Sequence, residues 1–324
     1  MICNWGILGP GFVATRAILP AIQHVSQARA LAIGSRNRER AQAVAQQFGI
    51  ERVYSDYQAL LDDRDIDAVY IALPNHLHHP WTLRAAEAGK HVLCEKPLAM
   101  SASEGVEMIV ACQRANVLLM EAVMYRFHPR MLILKQILES GNVGTLRFLH
   151  AAFSFPFNNP NNYRSHQEYG GGALLDVGSY CINAVRWLTD SEPQHIQGFM
   201  RRKGTIDVDT QALLTCSNSV IAHIQCSFAA AEHQVIEVVG TTGTATASQA
   251  FTAWHSDSTT LLLQNGSHRE QKTFAPSDPY QAMLEHFTGC VLGQATLRYQ
   301  PTDSLGTLQV IDQLRQEAIE VFTD

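Results

Sequence analysis

Short apolar runs alternate with longer amphipathic stretches over the first 120 residues, and this alternation limits the fold more than any other feature. A run that is apolar throughout, rather than at every second position, is typical of a strand covered on both faces of a parallel sheet. The pattern therefore predicts a doubly wound α/β domain. The predicted strands are residues 2–8, 30–34, 68–73, 91–94 and 117–120, and the predicted helices lie near residues 12–25, 38–48, 80–88 and 102–115.

The pattern changes after about residue 122. A helix and a long strand are followed by an irregular polar segment, a second helix and many period-two runs with short turns, which predict a mostly antiparallel sheet. We therefore expect two domains, residues 1–122 and 123–324, the second an α+β domain with a large open sheet. The helix predicted near residues 302–322 is a candidate to pack back on the first domain. One sheet face needs a cover, and a second subunit is the obvious one, so we expect a homodimer or a dimer of dimers.

Composition excludes several classes of protein. The chain has 324 residues, 46% of them hydrophobic, which excludes a disordered or fibrous chain. A net charge of −6 argues against a nucleic-acid partner. No stretch is apolar enough for a membrane span, and the amino terminus does not resemble a signal peptide. Seven cysteines without a C-x-x-C pair are typical of reduced thiols, so we expect a cytoplasmic protein.

A glycine-rich turn follows the first predicted strand. Residues 9–14 read Gly-Pro-Gly-Phe-Val-Ala and open the first predicted helix, which fits the Rossmann dinucleotide-binding pattern. Glycines there allow a tight turn and let the backbone approach a pyrophosphate at the helix amino terminus. We expect Gly9, Gly11, Phe12 and Val13 to contact a dinucleotide. The alternative is an ordinary glycine-rich turn.

The end of the second predicted strand indicates which dinucleotide is bound. An NAD site usually places an acid there, but no Asp or Glu occurs in this chain before Glu39. Ser35 and Arg36 stand at that place, with Arg40 close behind, and a hydroxyl with guanidinium groups suits a 2′-phosphate. We predict that NADP(H) is preferred and that NAD(H) is possible. The alternative for Arg40 is a solvated helix face, and Arg36 is the stronger candidate.

Two other segments carry side chains suited to proton transfer. Lys96 stands in a Cys-Glu-Lys-Pro sequence at the carboxyl end of a predicted strand, where doubly wound sheets bind ligands. Asp176 and Tyr180 follow a Gly-Gly-Gly run and are four residues apart at the start of a predicted helix, so they share one face. A free tyrosine has a pKa of about 10, and a nearby Lys96 would lower it. The alternatives are a surface turn for Lys96, a capping acid for Asp176 and a core ring for Tyr180.

These segments together resemble the Gfo/Idh/MocA oxidoreductase family over nearly the whole chain. The markers are residues 9–14, 72–78, 95–97 and 170–180. Many members carry a histidine four residues after the aspartate, whereas Tyr180 stands there in this chain. That difference resembles the branch containing dimeric dihydrodiol dehydrogenase, NADP-dependent D-xylose dehydrogenase and glucose–fructose oxidoreductase. The resemblance implies hydride transfer between nicotinamide C4 and a sugar or polyol carbon, with Lys96 contacting the reacting oxygen.

The resemblance also implies that Asn75 and His78 line the nicotinamide or its ribose. Two more sets complete the candidate site: further cofactor contacts from Leu73, Glu95, Lys96 and Arg126, and substrate contacts from Lys96, Tyr163, Arg164, Asp176 and Tyr180. A structural salt bridge is an equal alternative for Arg126. A metal site at His76, His78 and His79 is not expected, because no carboxylate or thiolate partner is near in sequence.

The sequence thus predicts an NADP(H)-dependent oxidoreductase acting on a carbohydrate, polyol or vicinal diol. One alternative is a regulatory relative that senses NADP or sugar without chemistry. The other is a reductase of a non-sugar carbonyl or imine. The presence of Lys96, Asp176 and Tyr180 favours catalysis over sensing.

Overall fold

The computed structural model describes residues 1–252 and 257–321. Contacts divide the chain into two compact units. The first comprises Met1–Met124 and Pro279–Leu305, and the second comprises Tyr125–Asp278 and the chain from Gly306 onward. Each unit has its own sheet.

The first unit contains a six-stranded parallel sheet in the order β3-β2-β1-β4-β5-β6. Its central strands are almost entirely buried, as their unbroken apolar sequence requires. The strand order reverses between β1 and β4, so this is the switch point of a doubly wound sheet. The predicted fold class of this region is confirmed. The strands are β1 Cys3–Leu8, β2 Ala28–Gly34, β3 Arg52–Tyr54, β4 Ala68–Ile71, β5 His91–Glu95 and β6 Leu119–Ala122.

Three helices of the first unit begin at side-chain caps. The Asn37 side chain accepts the backbone N–H of Arg40 at 2.9 Å, and the Ser101 hydroxyl accepts that of Glu104 at 3.3 Å. The first helix is shorter than predicted, because Pro20 lacks an N–H and a π-helical turn, Ala14–Ile18, precedes it. The helices are α1 Leu19–Ile22, α2 Arg38–Phe48, α3 Tyr57–Leu61, α4 His78–Glu87 and α5 Ala102–Arg114.

The second unit contains a nine-stranded sheet in the order β14-β13-β12-β11-β7-β10-β9-β8-β15. The pairs β7–β10 and β8–β15 are parallel and the others antiparallel, so the predicted mostly antiparallel sheet is confirmed. The strands are β7 Leu146–Ser154, β8 Pro193–Lys203, β9 Ile206–Cys216, β10 Ile221–Ser227, β11 His233–Gly240, β12 Gly243–Ser248, β13 Thr259–Asn265, β14 His268–Phe274 and β15 Ile319–Glu320.

Helices α6 Pro129–Glu139 and α7 Ser179–Thr189 belong to the second unit, and α7 packs against β7 and β10. Helix α8, Pro279–Val291, belongs to the first unit, and α9 is Asp303–Glu317. The prediction of a final helix near residues 302–322 is wrong at its end, because the chain becomes extended and β15 pairs with β8. The last residue of that prediction lies outside the described residues.

The nine-stranded sheet alternates buried and exposed side chains. In β9, Ala212 and Leu214 are buried whereas Leu213 is exposed. Exposed apolar residues on neighbouring strands share the face of Leu213, because the cross-strand register aligns them. We call this the open face; its large apolar residues are Phe148, Phe199, Leu213, Ile221 and Leu262, each 43–53% exposed.

No helix among the described residues is both long and apolar enough to cross a membrane. All seven cysteines are buried free thiols.

Candidate functional site

The glycine-rich turn lies at the carboxyl end of β1, at the switch point between β1 and β4. Gly9 has a φ of +94°, which favours glycine. A Cβ on Gly11 would lie 2.9 Å from the carbonyl oxygen of Ala72, so the turn packs directly on the residue after β4. Phe12 is 69% exposed and Val13 half-buried. Turn geometry, glycine requirement and place in the sheet all fit a dinucleotide pyrophosphate.

Ser35 and Arg36 follow β2, beside this turn in the sheet. Ser35 is buried, and its hydroxyl accepts the backbone N–H of Asn37 at 3.1 Å. Arg36 is exposed and interacts electrostatically with the phenol of Tyr57. Burial raises the pKa of Tyr57 and Arg36 opposes that rise. Arg40 is exposed in the first turn of α2. The strand end therefore presents a cation near a phenol, which fits a 2′-phosphate. Tyr57 was not predicted, because α3 is distant along the chain.

The Glu-Lys-Pro segment ends β5, next to β4. Glu95 is buried, and its carboxylate accepts hydrogen bonds from the Tyr70 hydroxyl and from the backbone N–H of Lys96, the latter at 3.2 Å. Burial raises the pKa of Glu95, and the Lys96 cation acts against this rise. Lys96 is half-buried, and its peptide bond to Pro97 is cis.

His78 joins two of the predicted cofactor segments. It is fully buried; Nδ1 lies 2.8 Å from the Pro97 carbonyl oxygen and Nε2 2.8 Å from that of Leu73. Burial lowers the pKa of His78 to about 4, although both carbonyls act in the opposite direction. Asn75 is buried in the turn between Leu73 and His78. These contacts connect the end of β4 to the Glu-Lys-Pro segment, so the ring nitrogens face protein carbonyls.

The neighbouring His79 has a different environment, because its Nε2 lies 2.9 Å from a carboxylate oxygen of Glu107. Within residues 1–252 and 257–321, no cluster of three His, Cys, Asp or Glu side chains has a geometry suited to a metal ion.

The Gly-Gly-Gly run of the second unit is explained by packing. A Cβ on Gly171 would lie 2.5 Å from the carbonyl oxygen of Arg164, so only glycine allows this approach. Gly172 has a φ of +109° and lies against the carboxylate of Asp207. That carboxylate accepts the backbone N–H of Leu174 at 2.6 Å and thereby caps the following helical turn. The sequence analysis missed Asp207; its only signal was an acid within a β-type run.

Arg164 and Asp176 form an ion pair behind this glycine run. Arg164 Nε lies 2.6 Å from Asp176 Oδ2, and Nη2 lies 3.2 Å from Oδ1. Asp176 is 3% exposed, and the guanidinium also lies 4.9 Å above the ring of Tyr163. Burial lowers the pKa of Arg164, but interactions led by the Asp176 carboxylate raise it by more, so the net shift is upward and the side chain stays charged. The structure thus brings together three of the predicted substrate residues.

Tyr180 lies one helical turn after Asp176, beyond a π-helical turn, Leu174–Gly178. Its buried ring packs against Tyr125, Phe153 and Phe251, at centroid distances of 6.0, 5.6 and 5.5 Å. Tyr180 therefore lies among aromatic rings.

Arg126 is buried in the second unit, with its guanidinium 5.1 Å above the ring of Trp187. A cation–π contact of this kind is a structural role that the sequence analysis did not consider.

Two family descriptions match the chain. Residues 3–123 match an oxidoreductase family with an NAD-binding Rossmann fold, and residues 131–246 match the GFO/IDH/MocA C-terminal domain.

Individual relatives are similar along nearly the whole chain. An NADP(+) D-xylose 1-dehydrogenase from Haloferax volcanii is 34% identical over 317 residues, covering 97% of each chain. A trans-1,2-dihydrobenzene-1,2-diol dehydrogenase from Xenopus laevis is 30% identical, covering 98% of this chain and 96% of the relative. The crystal structure of a 3-ketoreductase from Actinomadura kijaniata with NADP and TDP-benzene is 30% identical, with a TM-score of 0.93 and complete coverage of both chains.

Proposed function

The chain belongs to the Gfo/Idh/MocA oxidoreductase family, and we propose that it transfers a hydride between NADP(H) and a carbohydrate or vicinal-diol carbon. The family and the oxidoreductase class predicted from the sequence are confirmed. The relatives named above are an NADP(+) D-xylose dehydrogenase, a dihydrobenzenediol dehydrogenase and a 3-ketoreductase with NADP, which supports the substrate class. The observation that carries the proposal is the Arg164–Asp176 pair one helical turn before Tyr180. Tyr180 is the proposed proton-transfer group, and it lies in the unit that matches the family's C-terminal domain.

The first unit holds the cofactor. The glycine turn after β1 receives the pyrophosphate, and Ser35 and Arg36 bind the 2′-phosphate. Arg40 is exposed one turn further on and contributes at longer range. When bound, NADP(H) supplies the hydride acceptor or donor at C4.

Side chains of the protein itself transfer the proton. In the oxidative direction the Tyr180 phenolate would take the proton of the substrate hydroxyl while the carbon would give its hydride to bound NADP(+), and the C–O bond would become a carbonyl. Lys96 stabilises the charge that develops on the substrate oxygen. Asp176, held by Arg164, orients substrate hydroxyls, with Tyr163 beside them.

The open face binds a second copy of the chain. Five large apolar side chains on one sheet face are 43–53% exposed, and a homodimer would cover them. Seven free cysteines support a reducing, cytoplasmic location.

The test is turnover of a panel of aldoses, cyclic vicinal diols and ketosugars with NADP(H) and NAD(H) side by side. We expect at least one substrate to be converted, with a higher kcat/KM for NADP(H). Tight NADPH binding without turnover of any member would instead support the sensing alternative. Turnover only of imines or non-sugar carbonyls would overturn the substrate class.

A further inference from the structure

Asp176 stands one helical turn before Tyr180, and Arg164 binds Asp176 at 2.6 Å, so two opposite charges lie near this part of the helix. A bare carboxylate near a phenol disfavours the phenolate, whereas a guanidinium favours it. Burial lowers the pKa of Arg164, and Asp176, Tyr163 and Tyr180 raise it, so Arg164 and Tyr180 interact electrostatically. The charge state beside Tyr180 therefore depends on both members of the pair.

We propose that Arg164 is a positioning residue that holds Asp176 in place and supplies the positive charge that offsets this carboxylate beside Tyr180. The proposal deepens the function proposed above and rests on it. Arg164 then acts on the reaction through Asp176 and Tyr180, with no contact to the reacting carbon required.

The backbone around Arg164 is built to hold this position. Its N–H donates to Asn162 Oδ1 at 3.1 Å, and its carbonyl oxygen accepts the N–H of Gly172 at 3.0 Å. Gly171 leaves the space in which that carbonyl lies. The guanidinium is fixed on one side by Asp176 and on another by the Tyr163 ring. A freely solvated substrate-binding arginine would not need these restraints.

The surroundings of Tyr180 screen these charges weakly. Phe153 of β7 and Phe251, past the end of β12, pack on the ring, and Tyr125 contributes a third ring whose hydroxyl donates to Asn183 Oδ1 at 2.6 Å. Titratable or charged groups that interact with Tyr180 include Tyr125 and Arg164, and Asp176 stands one helical turn before it. Among apolar rings, each charge acts more strongly than it would in water.

The test compares the pH dependence of kcat/KM for oxidation in four proteins: wild type, Arg164→Gln, Asp176→Asn and the double variant. We expect Arg164→Gln to raise by about one unit the pKa through which kcat/KM rises with pH, because the variant leaves the Asp176 carboxylate without an opposing charge. Asp176→Asn moves it down by a similar amount, and the double variant returns near the wild-type value. Arg201→Gln is the matched control, since Arg201 forms an exposed ion pair with Asp209 at 3.0 Å in the same unit.

Profiles that stay parallel to wild type in both single variants would overturn the proposal, as would shifts of the same sign. If Arg164→Gln does not fold, Asp176→Asn alone decides, because an upward or absent shift contradicts the charge offset. A second readout needs no turnover. The ultraviolet tyrosinate signal is recorded against pH, and subtracting the titration curve of Tyr180→Phe from that of wild type reports the ionisation of the Tyr180 phenol. An inactive wild-type protein whose variants show the expected titration shifts would contradict the proposed function but still support this inference.

Discussion

The two sheets of this chain bury their apolar residues in different ways. In the first unit, β4 is buried at every position, and its sheet is complete within one chain. In the second unit, β9 alternates buried and exposed residues, and the exposed set includes Leu213 beside other large apolar side chains. The parallel sheet is thus covered within its own unit, whereas the open face of the mixed sheet is the surface where we propose that a second copy binds.

The polar residues of the two units also differ in use. In the first unit, His78 and Glu95 connect strand ends to each other through buried hydrogen bonds. In the second unit, Arg164 and Asp176 compensate each other beside a phenol. We propose that the first arrangement shapes a surface for the cofactor and that the second sets the charge around the proton-transfer group Tyr180.

The strongest test of this division of roles is Tyr180→Phe. Removing only the hydroxyl keeps the ring packed against Phe153 and Phe251, so the fold should survive. We expect kcat to fall by about 10²–10⁴-fold, the usual range for a general acid–base group, with the Kd for NADPH unchanged. Tyr54→Phe, which removes a hydroxyl that donates to Asp63 at 2.8 Å in the first unit, is the control. Wild-type kcat in Tyr180→Phe would assign proton transfer to another group.

The open face is tested by Leu213→Arg. A charge in the centre of an apolar interface costs about 2 kcal/mol per copy, and a two-fold symmetric contact contains two copies. We expect the dimer dissociation constant to rise about a thousandfold. Analytical ultracentrifugation measures it, and Val106→Arg, at an exposed apolar position of α5, is the control. A wild-type protein that is monomeric at micromolar concentration contradicts the proposed interface.

Arg36→Asp tests the cofactor role of the first unit. The change removes the cation that interacts with Tyr57 and introduces an acid that suits a ribose 2′-hydroxyl. Loss of a charge-assisted contact costs about 1.5–3 kcal/mol, so we expect the ratio of kcat/KM for NADP(H) over NAD(H) to fall about ten- to a hundredfold. Arg38→Asp, two residues later, is the control. If wild type already prefers NAD(H), the predicted specificity is wrong.

Local sequence patterns predicted the fold and the positions of the candidate residues. They did not predict which other residues these candidates contact. The strand–turn–helix around Gly9 and the helix after the Gly-Gly-Gly run were predictable because each depends on neighbouring residues. Asp207 and Tyr57 were missed because they reach their partners from strands and helices distant along the chain. For His78, no sequence pattern could tell whether its nitrogens face a cofactor or the carbonyls of Leu73 and Pro97.

Several histidines accept backbone hydrogen bonds and must therefore stay neutral. His128 caps α6, and its Nδ1 accepts the N–H of Arg130 at 3.1 Å. His91 Nδ1 accepts the N–H of Leu118 at 2.9 Å. Burial lowers the pKa of His128 to about 4 from 6.5, and the nearby Arg130 lowers it as well. Protonation would remove the lone pair that accepts the N–H.

The smallest expected effect is a pH dependence of stability that His128→Asn should remove. Between about pH 4 and 6.5 the unfolded chain binds a proton at this side chain that the folded chain does not, so stability is complete above pH 6.5 and falls as the pH decreases. From pH 7.5 to pH 5 this one group should lower the free energy of unfolding by about 2 kcal/mol. Asparagine is a preferred helix cap and does not titrate, so His128→Asn should keep the helix start and lose about 2 kcal/mol less than wild type over that range. Urea unfolding at the two pH values measures the difference, with His24→Asn, at an exposed position, as the control. Equal pH dependence in wild type and His128→Asn would show that His128 does not stay neutral in the folded chain below pH 6.5.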